Sequence, residues 1–105
     1  QNPQCYCGNG YYLETYNFSS FKLYQTVVFD QYKQVKKSSG TIKSINDNIF
    51  YFDVIKVKDS FLNREQSAPE DLFDFKVVQE KKKLRLMYEN ETILKSSKCL
   101  KEPPL

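Results

Sequence analysis

Alternation of apolar and polar residues at every second position dominates this chain, and it restricts the fold to one built from half-buried strands. Phe21, Leu23, Val27 and Phe29 fall on one face of an extended segment, with Lys22, Tyr24, Thr26 and Asp30 on the other. A shorter strand is expected over 12–18. Thr41 to Ile45 follows Gly40, and Asn46-Asp47-Asn48 suits a tight hairpin because Asn and Asp tolerate positive φ. The run 49–58 starts apolar on both faces (Ile49, Phe50, Tyr51, Phe52) and becomes one-sided at Ile55 to Lys58. Such a strand begins covered and ends near solvent. Periodicity resumes at Phe73, Phe75 and Val77, again at Leu84, Leu86 and Tyr88, and finally over 92–100.

One interruption reads as helical. Ser67 followed by Pro69, Glu70 and Asp71 has the cap, first-turn proline and acidic first turn of a helix start, which predicts one short helix near 68–73. The expected fold is therefore mainly β, a small antiparallel OB-like barrel of five or more strands with that helix between the third and fourth. A meandering calycin-like barrel with an internal ligand is the competing architecture; the short chain favours the smaller, filled barrel.

With 105 residues the chain is read as a single small β domain over 1–105, comprising an N-terminal arm at 1–10 and a tail at 101–105. The arm is rich in turn formers, and the tail's prolines forbid a continuing strand. Eight Tyr and eight Phe give a heavy aromatic load for this length, expected to fill a thin core. No stretch is long and apolar enough to span a bilayer as a helix.

Cysteine placement sets the compartment. Cys5, Cys7 and Cys99 lie at the two ends of the sequence. A Cys5–Cys7 bond is geometrically awkward, so a bridge from one of them to Cys99 is expected, with the third thiol left over. Sequons at Asn17 and Asn90 point the same way, and Gln1 in place of Met fits a processed mature chain or an excised one, so the expectation is a secreted or extracellular glycoprotein.

The residue inventory argues against catalysis. The chain has no histidine, which removes the usual neutral-pH base and the commonest metal ligand. No phosphate-cradling glycine loop is present. The carboxylates of Glu70, Asp71 and Asp74, and of Glu89 and Glu91, are explained by helix capping and turns rather than by a cleft. The expectation is a non-enzyme with no catalytic residues, no cofactor and no metal.

What remains is binding. A protein partner is the first expectation, with Tyr6, Tyr11, Tyr12, Tyr51, Lys83 and Arg85 as candidate contacts, because Tyr is favoured in interface cores. The alternative is an intracellular OB-type domain for single-stranded nucleic acid. It would use Lys81 to Lys83 or Lys33, Lys36 and Lys37 on phosphates, with Tyr24, Tyr32, Tyr51 and Phe52 stacking on bases. The net charge of +3 permits this without requiring it. A small apolar ligand ranks third. The Cys5-Tyr6-Cys7 segment is similar to the Cys-x-Cys arm that opens netrin-like modules, including tissue inhibitors of metalloproteinases. That resemblance covers only those residues, since the chain lacks the modules' further cysteines, and it implies that the arm is a contact surface.

Overall fold

A computed structural model describes residues 2–61, 64–68, 74–87 and 91–105. Nine strands occur in the order β1 (Gln4–Gly8), β2 (Tyr11–Tyr16), β3 (Ser20–Phe29), β4 (Tyr32–Ser44), β5 (Ile49–Asp59), β6 (Gln66–Ser67), β7 (Phe75–Glu80), β8 (Lys83–Met87) and β9 (Thr92–Ser97). Each strand from β1 to β5 pairs antiparallel with the next. β5 then pairs with β7, β7 with β8, β8 with β9, and β9 returns to β1. The result is a closed eight-stranded antiparallel barrel, to which β6 adds a short pairing on β5.

This corrects the OB-like expectation. Apart from the β1–β9 pair that closes the ring, and with β6 set aside, neighbours in the ring are neighbours in sequence, so the barrel is a simple meander without the crossover of an OB topology. Two segments that do not alternate in the sequence supply the additional strands. The expected arm contains β1, which closes the ring between β2 and β9. Its exit turn is Asn9-Gly10, with φ of 50° and 81°, the conformation that a two-residue hairpin requires. The second is the polar stretch 32–40, which forms most of β4. The expected hairpin at 46–48 does form: Asn46 Oδ1 accepts the N–H groups of Asn48 and Ile49, each at 3.0 Å.

The expected helix finds no support. Ser67, its proposed cap, belongs to β6 opposite Lys56. Ala68 is non-helical, and residues 69–73 lie outside the described residues. No helix occurs among the described residues, so none is long and apolar enough to cross a membrane.

The core is aromatic at its centre. Phe21, Phe52 and Phe75 stack together with ring centroids 4.8 to 6.0 Å apart. Leu13, Val77, Leu84 and Leu94 are completely buried around them. Phe18, in the β2–β3 turn, lies 4.8 Å from Phe50 and plugs one end of the barrel. Gly40 and a bulge opposite it let β4 and β5 approach so closely that a Cβ on Gly40 would overlap the Asp53 carbonyl oxygen.

A second cluster lies on the outer wall. Cys5, bonded to Cys99 with Cα atoms 5.2 Å apart, packs with Tyr12 and Tyr24 beneath Leu105. The end of the chain is a non-strand tail, with Leu100 N–H donating to the Tyr12 hydroxyl at 2.8 Å. Cys7 is the leftover thiol, and it is exposed.

Candidate functional site: the open mouth of the barrel

Opposite the Phe18 plug, the barrel opens into a cavity of about 290 Å³. Register explains why it exists. Ser38 lies between Leu23 on β3 and Val57 on β5, at a level of the wall where a larger side chain would fill the lumen. One level further out, Gln25, Lys36 and Asp59 face one another across the same three strands. Tyr11, Val54, Phe75 and Leu86 complete the apolar floor and sides.

The wall itself divides at this end. The β5–β7 ladder stops at the Phe52–Phe75 pair. Beyond it Asp74 substitutes for a strand: Oδ1 accepts the Val54 N–H at 3.1 Å, and Oδ2 accepts the Tyr51 hydroxyl at 2.6 Å. The Tyr51 bond holds the Asp74 carboxyl below the usual carboxylate range, and the same bond pushes the Tyr51 phenol up. β5 then continues against β6, with Ala68 N–H donating to the Ile55 carbonyl at 2.8 Å. Gln66 of β6 reaches the cavity rim.

At the rim, Asp59 Oδ1 accepts the Phe61 N–H at 2.9 Å. Lys36 has no ion-pair partner among the described residues. Lys37 and Lys58, directly opposite each other, border the opening from the outer face, and the Lys37 ammonium lies 5.9 Å from the Tyr24 ring centre. The arrangement is an apolar well with amide, ammonium and carboxylate groups at its lip, which suits holding a small molecule by its apolar body and fixing its polar end.

The residues singled out from the sequence do not form one surface. Tyr6 faces the barrel interior and is buried. Tyr11 lines the cavity. Tyr12 is buried on the outer wall, its hydroxyl donating to Glu14 at 2.9 Å. Tyr51 is tied to Asp74, Lys83 is exposed beside the β7–β8 turn, and Arg85 pairs with Glu80 at 2.6 Å and Glu91 at 3.5 Å. Of the proposed stacking rings, Tyr24 and Phe52 are buried and Tyr32 is exposed. Asn17 sits exposed in the β2–β3 turn; Asn90, with Glu70, Asp71 and Glu89, lies outside the described residues.

The cavity residues Gln25, Ser38, Val57 and Asp59 did not stand out in the sequence as site residues, Leu23 was read only as part of a strand face, and Lys36 was singled out only as a phosphate contact. The available signal was Ser38-Ser39-Gly40, a run of small residues between two strongly alternating strands. Compared with known proteins, the chain matches no family model, no curated protein and no solved structure.

Proposed function

We propose that this protein is an extracytoplasmic, non-catalytic binding protein that holds a small amphipathic molecule in the mouth of its barrel. The observation that carries this reading is the mainly apolar well of about 290 Å³, with Ser38 part-way up its wall and Gln25, Lys36 and Asp59 at its lip. That volume lies at the small end of the range of about 300–1,000 Å³ typical of small-molecule sites. The ligand's apolar body would rest on Leu23, Val57, Phe75 and Leu86, with its polar end at Gln25, Lys36 and Ser38. The Cys5–Cys99 disulfide is compatible with an extracellular location. The reading moves the small ligand from last to first among the partners weighed from sequence, because a meandering eight-stranded barrel leaves room that a five-stranded one does not.

Titration with anilinonaphthalenesulfonate, followed by displacement with decanoate, tests it. The dye's fluorescence should rise on binding the native protein and fall again as decanoate enters. Ser38→Phe fills the well and should weaken dye binding about tenfold or more, while the unfolding free energy in urea stays within about 1 kcal/mol of wild type because the ring enters open cavity rather than packed core. No enhancement with the native protein, or equal binding by the filled variant, overturns the reading.

A further inference from the structure

The β3–β4 hairpin is longer than the wall that supports it. β3 pairs with β2 only as far as Gln25, and β4 pairs with β5 only from Lys36. Beyond those points the Thr26–Val35 pair is still tied to the barrel, and past it the pairs Val27–Gln34, Val28–Lys33 and Phe29–Tyr32 continue the hairpin. At about 3.3 Å per residue, the three pairs carry the tip about 10 Å past the barrel rim. Thr26 N–H donates to the Gly10 carbonyl at its base, and Val35 exchanges bonds with Ser60 on the other side.

Apolar side chains make up much of what that projection exposes, beside the polar turn residues Asp30 and Gln31 and beside Lys33. Val28 is 68% exposed, Tyr32 66%, Phe29 44%, and Phe61 58%. Phe61 belongs to the neighbouring connection, and its ring centre lies 6.5 Å from that of Phe29. Exposed aromatic groups gathered at one extremity form an interaction surface rather than scattered surface residues. The charge nearest the tip is mainly basic: the hairpin carries Lys33, Lys36 and Lys37 there against one acid of its own, Asp30, with Asp59 facing Lys36 across the rim.

We infer that the hairpin tip docks on an anionic membrane surface, inserting Val28, Phe29, Tyr32 and Phe61 while the lysines behind meet lipid phosphates. Interfacial segments bury their apolar groups about 5–10 Å into the headgroup and acyl boundary, which matches the reach of this overhang. Tyr suits the interface level, and Lys33 can extend its ammonium from beside the tip back towards the headgroups. At that depth Lys37, on the outer face of β4, stands at the charged surface of the leaflet. Four side chains on a narrow projection are too small a contact for a stable protein interface, which takes about 800 Å² from each partner. The inference does not depend on what the cavity holds.

The chain has no Trp, so Tyr32→Trp gives a single reporter at the tip. Vesicles of phosphatidylcholine, with and without phosphatidylglycerol, serve as the probe. With the anionic vesicles the Trp emission should shift to the blue and the protein should co-sediment, with affinity falling as salt rises. Lys33→Glu should weaken binding by about fivefold or more, and Phe29→Ser with Phe61→Ser by about tenfold or more. Because these residues lie outside the core, the unfolding midpoint of each variant should equal that of wild type. Protein that stays in the supernatant at every concentration of anionic lipid overturns the inference and directs the tip to a protein partner. Binding untouched by the tip substitutions overturns it equally.

Discussion

Tyr12 and Tyr24 lie side by side on the outer wall with ring centres 5.7 Å apart, and their titration reports on how that wall is sealed. Burial first, and the neighbouring Glu14 carboxylate with it, push both phenols from 10.0 up to about 12. Glu14 is itself buried and accepts hydroxyl bonds from Tyr12 and Tyr16. A phenol whose folded value lies above its unfolded value holds its proton more tightly in the native state. Its contribution to stability is therefore complete below pH 10 and is lost as the pH climbs towards 12. Urea midpoints measured across that alkaline window should fall, with tyrosinate absorption of the native protein lagging behind that of the unfolded chain. Tyr24→Phe should make the fall shallower. A midpoint that stays level throughout the window would show that these rings are already open to solvent.

At the scale of single elements, β5 shows how one side chain can end a ladder without leaving its backbone bare. Asp74 takes the Val54 N–H that β7 no longer reaches. Asp74→Ala removes that acceptor at a partly solvated site, so the expected loss is about 1 kcal/mol, read from the urea midpoint. Exchange of the Val54 amide should quicken with it. The Asp74 carboxyl is held below its usual value, so its contribution is full at neutral pH and fades only on acidification through the folded value; the variant should lose that acid-limb decline. β3, β5, β7, β8 and the 46–48 hairpin were legible in the sequence because each buries one face on the core, so burial imprints period two. The first half of β4 was not, since its inward residues Lys36 and Ser38 border a cavity rather than packed core, so burial imposes no apolar alternation there. β1 was obscured by its turn residues, although Asn9-Gly10 is itself a hairpin signal. The same cause hid the candidate site. A cavity is lined by what the core leaves out, and only the topology shows which small and polar residues share it. Ser67 followed by Pro69 and two acids satisfied local helix-start rules, yet Ser67 pairs in β6, where tertiary pairing overrides a local preference.

For the whole molecule, ring closure is the step on which everything else depends, and the covalent bond sits beside it. β1 and β9 are the first and last strands, and their pairing through Cys5–Ser97, Tyr6–Ser96 and Cys7–Lys95 turns a twisted sheet into a barrel with a lumen. Cys99 follows β9 directly and is bonded to Cys5, a sequence separation of 94 residues. Constraining a loop of that length in the unfolded chain contributes about 4–5 kcal/mol in the chain-entropy model, against a total of about 5–15 kcal/mol for a typical domain. The paired variant Cys5→Ala with Cys99→Ala should therefore lose a large share of its stability in urea. Because the loss begins at the seam between β1 and β9, amides of Tyr6 and Ser96 should lose exchange protection before those of the β4–β5 ladder. In the native wild-type protein one thiol, Cys7, should react with an alkylating reagent, rising to three after reduction in denaturant. A variant that unfolds within about 1 kcal/mol of wild type would mean that the aromatic centre, Phe21 with Phe52 and Phe75, closes the ring on its own. The dye-binding mouth would then survive reduction, whereas a barrel that needs its bond would lose the well and the disulfide together.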